Sequence, residues 1–220
     1  MKIDNLEKKA RAVKILEVLK RLYPNAHSEL NWKTPWELLV AVQLSAQCTD
    51  KLVNRVTEKL FEKYRSFDDY LVTSVSEFDK DVSLINFHAN KAKNILAAAT
   101  ILKEKFNGVI PDTMEELITL PGIARKSANV ILYNVFGKNE GLAVDTHVIR
   151  LAQKLGLSEY KDPVKIEKDL MELVPREDWG EFCNGLTLYG RYVCKAVKHD
   201  CSSHELTKIY PEASSIWPVK

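Results

Sequence analysis

No stretch of this sequence approaches the ~18 consecutive apolar residues that a membrane span requires. Cysteine is sparse, four in 220 residues, which excludes a disulfide framework and points to a reducing compartment. Glycine and proline number eight each, too few for a collagen-like or low-complexity chain. Charge of one sign is lacking too: 32 Lys and Arg face 30 Asp and Glu, a net +2. That balance does not by itself identify nucleic acid as a partner. The first twenty residues include Asp4, Glu7 and Glu17 among their apolar positions, so a signal peptide is not expected and the cytoplasm is.

What is present is the composition of a globular protein, 45% hydrophobic and 28% charged, long enough for one larger or two small domains. Basic residues concentrate locally. Residues 1–23 hold seven Lys or Arg against three acids, and residues 51–65 hold five against two. Such faces can track a phosphate backbone, although a solvated helix face is the simpler account of each.

Apolar spacing is helical nearly throughout. Ala12, Ile15, Leu16, Leu19, Leu22 and Tyr23 share one face of a first helix that Pro24 ends. Thr34-Pro35-Trp36-Glu37 reads as a capping box opening a second helix. Further helices are predicted over 51–64, 89–107, 113–120, 124–136, 145–156, from Asp162 to Pro175, and over 180–193. The segment 124–136 is apolar almost all round, so it is expected to be central. No segment demands a strand, and the fold class is all-α with short connections. Residues 202–220, rich in Ser, Pro and Lys, read as a loosely packed tail.

The stretch most informative about chemistry is Leu120-Pro121-Gly122-Ile123-Ala124-Arg125-Lys126-Ser127-Ala128-Asn129. A short helix, a tight turn and a second helix make a hairpin. Its turn would aim backbone N–H groups and the positive end of a helix dipole at a phosphate, without regard to base sequence. An ordinary helix-to-helix turn would read the same way. Lys126 falls in the first turn of the second helix, where the dipole disfavours an ammonium. A neutral amine there can attack a sugar carbon and form a Schiff base. Asp145, in Ala143-Val144-Asp145-Thr146-His147, suits a helix N-cap. A carboxylate so held can also stabilise a developing cation or assist proton transfer.

Together, 120–129 and 143–147 resemble the helix-hairpin-helix and Gly/Pro-Asp signature of the endonuclease III family of DNA glycosylases. Leu44-Ser45-Ala46-Gln47-Cys48-Thr49-Asp50 resembles the family's LSAQ-x-TD segment, and Tyr189-Gly190-Arg191-Tyr192-Val193-Cys194 its HGRYTC segment. The similarity runs in order from about residue 10 to residue 204. It implies a two-domain, all-α fold: a six-helix domain over 28–138, a second domain from 1–27 with 139–220, and the active site in the cleft between them. It implies Lys126 as nucleophile and Asp145 as the essential acid. Gln47 would fill the gap left by an extruded base; a buried or capping glutamine is the plainer reading of that residue. Gly122, Ala124, Arg125, Ser127 and His147 would contact damaged double-stranded DNA. A lysine at 126 implies base removal followed by strand cleavage through β-elimination, on oxidised or ring-saturated pyrimidines, by a monomer associated with the nucleoid of a prokaryote. Two rival functions remain: a glycosylase for another damaged base such as oxidised guanine, and a non-catalytic DNA-structure-binding protein.

Two departures stand out. Ala124 replaces the second Gly of the family hairpin, and is expected to lie already within the helix, where Ala is favoured over Gly. The family's closing C-x6-C-x2-C-x5-C, which binds a [4Fe–4S] cluster through four thiolates, here reads Cys194, Cys201, His204 and Tyr210. The ligands are therefore expected to be lost, and no metal or other cofactor is expected, with a degenerate iron–sulfur site and zinc as the alternatives. A zinc site from Cys194, His199, Cys201 and His204 has suitable ligand types, but its spacing matches no familiar zinc pattern.

Overall fold

The computed structural model describes residues 2–216, and their regular structure is entirely helical. The first helix, α1 (Lys2–Leu22), buries Ala12, Ile15, Leu16 and Leu19, the i, i+3, i+4, i+7 stripe of its sequence. The chain divides into two compact units. Residues 28–138 form one, and α1 joins the residues from 139 onward in the other.

The 28–138 unit contains α2 (Pro35–Ser45), α3 (Asp50–Lys63), α4 (Phe67–Val72), α5 (Val75–Asp81), α6 (His88–Phe106), α7 (Met114–Leu117) and α8 (Arg125–Phe136). The central helix is α2, not the 124–136 segment. Trp36 and every residue from Leu38 to Leu44 are buried, whereas Val130, Val135 and Phe136 of α8 are only partly covered. Around α2 pack α3, α6 and α8, while α4 and α5 lie on α6. Thr34 caps α2 by accepting from the Glu37 N–H at 3.2 Å, as its sequence requires. Helices α4 and α5 escape sequence reading because six or seven residues are too few to show a period. Their signals are the serines Ser66 and Ser74 at their N-caps.

In the other unit α1 packs against α10 (Pro163–Leu173), α11 (Trp179–Tyr192) and α12 (Glu205–Ile209), and α11 packs on α9 (Thr146–Lys154). Gly185 permits the α1–α11 crossing: a Cβ there would stand 3.1 Å from the Leu19 Cβ. The C-terminal segment corrects the expectation of a loose tail. Helix α12 and a 3-10 turn at Pro211–Ser214 follow the loop, Leu206 and Ala213 are 1% and 0% exposed, and both belong to the core. Residues 217–220 of that expected tail lie outside the described residues. Sequence reading weighted the polar residues there and missed the apolar ones that recur between them.

Leu206→Ala should therefore cost about 2–4 kcal/mol, read as a lower urea midpoint at unchanged slope. A loss below about 0.5 kcal/mol, as for an unpacked surface position, would restore the loose tail.

Candidate active site

The hairpin is built by α7, the turn at Pro121–Gly122 and α8. Gly122 has φ +81°, and a Cβ there would lie 2.8 Å from Gln43 Oε1 and 3.2 Å from Asn94 Cβ. Glycine is thus required twice, by the left-handed backbone and by the turn's close seat on α2 and α6. Ala124 is neither strained nor inside the helix. It is the N-cap of α8, with extended φ −101° and ψ 169°, and its carbonyl accepts from Ala128 N–H at 2.9 Å. An alanine side chain cannot cap, and none does so here. Arg125 and Lys126 are exposed on the first turn, and Ser127 is half-buried.

A second turn of the same unit carries Gln47. Its side chain is exposed and its φ is +57°, which removes the reading of a buried or capping glutamine. The turn is held from within. Lys91, a buried residue of α6, donates from Nζ to Leu44 O at 2.9 Å and Ala46 O at 2.6 Å, and lies 3.8 Å from Cys48 Sγ. Burial lowers its pKa, opposed by Cys48. Asn86 Nδ2 donates to Gln47 O at 2.8 Å, tying this turn to a third. There Phe87 sits at φ +58°, 61% exposed, as N-cap of α6. A left-handed aromatic is a genuine outlier. Sequence reading missed Phe87, Asn86 and Lys91; only the turn-like Asn86 beside a helix start hinted at the first two, and nothing marks Lys91 as buried.

In the other unit Asp145 is the N-cap of α9. Its Oδ1 accepts from the His147 and Val148 N–H groups, both at 2.9 Å, and its Oδ2 accepts from Thr187 Oγ1 of α11 at 3.3 Å. Backbone donors and a hydroxyl thus fix the carboxylate on both oxygens. His147 is half-buried; burial pushes its pKa down, only partly offset by Asp145, so the ring stays neutral near pH 7. Buried Arg150 donates to Cys194 O at 2.6 Å and Gly190 O at 3.0 Å. Gly190 is needed because a Cβ would stand 2.9 Å from the His147 Cβ. Thr187 and Arg150 were not evident from the sequence.

The expectation that the closing segment has lost its metal ligands is not borne out. Cys194, His199 and Cys201 converge, with one ligand atom of each within 4.8 Å of the others, and both thiols are buried.

An all-helical chain with an open hairpin turn beside a lysine has the form of a sequence-independent DNA-backbone binder. The model of the HhH-GPD superfamily of base excision DNA repair proteins matches residues 40–176. Endonuclease III of Synechocystis sp. is 47% identical over 94% of this chain and 95% of its own length. The endonuclease III of Bacillus subtilis is 43% identical over 90% of each. A solved structure of a non-covalent endonuclease III–DNA complex superposes with TM-score 0.88 at 41% identity, covering 94% of this chain and 97% of that one. The chain therefore belongs to the HhH-GPD superfamily and, within it, to the endonuclease III family.

Two glycines separate backbone strain from packing. Gly137 also has positive φ, but nothing lies within 4 Å of its Cβ position. Gly137→Ala should cost about 1–2 kcal/mol for the left-handed backbone alone. Gly122→Ala should cost at least about 1 kcal/mol more, because Gln43 and Asn94 must move. Equal losses in denaturant melts would mean that the hairpin turn is not tightly seated.

Proposed function

We propose that the protein is a base excision repair DNA glycosylase with AP-lyase activity, acting on oxidised or ring-saturated pyrimidines in duplex DNA. The carrying observation is an exposed Lys126 on the first turn of an uncapped helix, directly after a turn that only glycine can make. Backbone N–H groups around Gly122 and Ala124, with Arg125 and Ser127, take phosphates. Gln47 and Phe87 act on the stack. Both are exposed on left-handed turns fastened to each other by Asn86; an apolar ring that enters between bases, with an amide in the vacated place, holds an extruded nucleotide out.

The Lys126 Nζ attacks C1′ of that nucleotide through its lone pair. The glycosidic bond breaks and the base leaves carrying the proton that the attacking amine gives up. Opening of the sugar ring then gives a C1′–nitrogen Schiff base. Loss of a C2′ proton expels the 3′ phosphate and cuts the strand. Asp145, held rigid by its three donors, stabilises positive charge on the sugar during base loss. His147, neutral and in the first turn of α9 after that cap, contacts the phosphate chain in this reading. In keeping with a covalent route, a relative 41% identical to this chain is described as a trapped endonuclease III–DNA covalent intermediate.

Lys126→Gln should abolish the borohydride-trapped adduct and strand cleavage while leaving DNA binding nearly intact. An adduct forming at the wild-type rate would require another nucleophile. Asp145→Asn keeps much of the cap, so its melting temperature should change little. Release of the damaged base should fall far more than cleavage of a preformed abasic site, whose aldehyde needs no help to form the Schiff base. Equal loss on both substrates with a large fall in melting temperature would make Asp145 purely structural. Affinity for undamaged duplex should fall steeply with salt and ignore flanking sequence. A strong preference for one undamaged sequence, with weak salt dependence, would contradict phosphate-led binding.

A further inference from the structure

The loop between α11 and α12 buries almost nothing apolar: its residues from 195 to 198 are exposed, as are Asp200, Ser202 and Ser203. What it brings inward is a set of ligand atoms. Cys194 and Cys201 are 2% and 1% exposed. With His199 they place three donors within 4.8 Å of one another, which admits the ~3.8 Å separation of two thiolates around a tetrahedral zinc with bonds of ~2.3 Å. The His199 Nδ1 lies 2.7 Å from Val197 O. A carbonyl can only accept, so Nδ1 carries the proton and Nε2, itself buried, keeps its lone pair. The fourth donor, His204, stands next to His199 but outside that group of three. The His204 ring centroid is 5.2 Å from that of His199, and its Nδ1 is buried with no hydrogen-bond partner, which is costly for a polar atom unless something fills the place.

This donor set is not that of the four-thiolate cluster which the family pattern implies. Tyr210, which stands at the last ligand position of that pattern, is engaged elsewhere: the Arg11 guanidinium covers its ring at 3.8 Å. Two thiolates with two imidazoles are a closed zinc set. Two anionic and two neutral ligands also neutralise the dication, as a buried site needs.

We propose that Cys194, His199, Cys201 and His204 bind a single Zn(II) ion in tetrahedral geometry, and that this ion, rather than apolar packing, fixes the 194–204 loop. The loop is anchored at its start, where Arg150 holds Cys194 O, and at its end, where Leu206 enters the core. Zinc closes the span between these anchors. This site does not rest on the glycosylase reading.

The test uses full-length protein purified without chelator. Elemental analysis should find stoichiometric zinc and negligible iron, in a colourless protein. Stripping with chelator should lower the melting temperature, and added Zn(II) should restore it. Cobalt(II) in place of zinc should give the strong visible bands of a tetrahedral thiolate site. The double variant Cys194→Ser/Cys201→Ser removes buried groups and can fail to fold for that reason alone. His199→Ala and His204→Ala, at half-covered loop positions, avoid the difficulty, and each should weaken zinc binding at least about tenfold. Wild-type zinc affinity in either histidine variant overturns the assignment of that ligand. Stoichiometric iron and sulfide in a brown protein overturns the proposal in favour of a cluster. Metal-free protein whose melting temperature ignores both chelator and zinc overturns it outright.

Discussion

Buried cations that donate to main-chain carbonyls at the ends of helices organise both units. The last carbonyls of a helix have no partner within it, and leaving them unsatisfied inside a core costs about 1–3 kcal/mol each. Lys91 answers this for α2, reaching from α6 to Leu44 O and Ala46 O. Arg150 answers it for α11, reaching from α9 to Gly190 O and Cys194 O. Lys154, also buried, donates to Ile216 O at 2.8 Å. A cation in this position also complements the negative end of the dipole. The long side chain does what a terminal glycine does elsewhere, as at Gly137 of α8, but from a neighbouring helix, so that the end of one element is fixed by the body of another.

The consequence is that chain leaving such a helix starts from a fixed point. Beyond α2 and its C-cap Ala46 come Gln47 and Cys48, and Gln47 holds a left-handed conformation that costs of order 1–2 kcal/mol. Beyond α11 comes the loop of Cys194, His199 and Cys201. Backbone strain persists only where its surroundings over-determine it. Here Lys91 grips the residue before Gln47, Asn86 grips Gln47 itself, and Phe87, strained in the same sense, follows Asn86 directly. Both the exposed amide and the exposed ring therefore stand on supports made inside the same unit.

Periodicity and punctuation made most of the helices legible. The stripe of α1, the capping threonine of α2 and the Asp145 N-cap are local features, decided by residues within four positions of each other. The hairpin was legible because Pro-Gly turns are local too. What remained hidden was set by distance along the chain. Lys91 and Arg150 are polar residues within amphipathic helices, and only the fold shows that their acceptors lie some forty residues away. The Cys194, His199 and Cys201 convergence was weighed by spacing against known patterns, yet ligand geometry depends on how a loop folds back and not on its count of residues. Ala124 was placed one residue too deep in α8, within the ordinary uncertainty of a helix boundary.

That one residue matters, because side-chain caps recur among the described helices. Thr34, Thr49, Ser74, Thr113, Asp145 and Asp162 close α2, α3, α5, α7, α9 and α10 with their side chains. In the 28–138 unit the two long helices left without a side-chain cap are α6 and α8, whose N-caps are Phe87 and Ala124. Each omission forgoes about 1 kcal/mol of local stability. Each occurs where a proposed DNA contact begins, at Phe87 in one case and just before Lys126 in the other. A helix whose first N–H groups are already taken by a serine or aspartate has less to offer a phosphate. An uncapped helix presents those donors and its full dipole to the ligand, which then completes the cap. On this reasoning these two uncapped starts, unlike those of α11 and α12, fall where we propose that bound DNA supplies the missing partner.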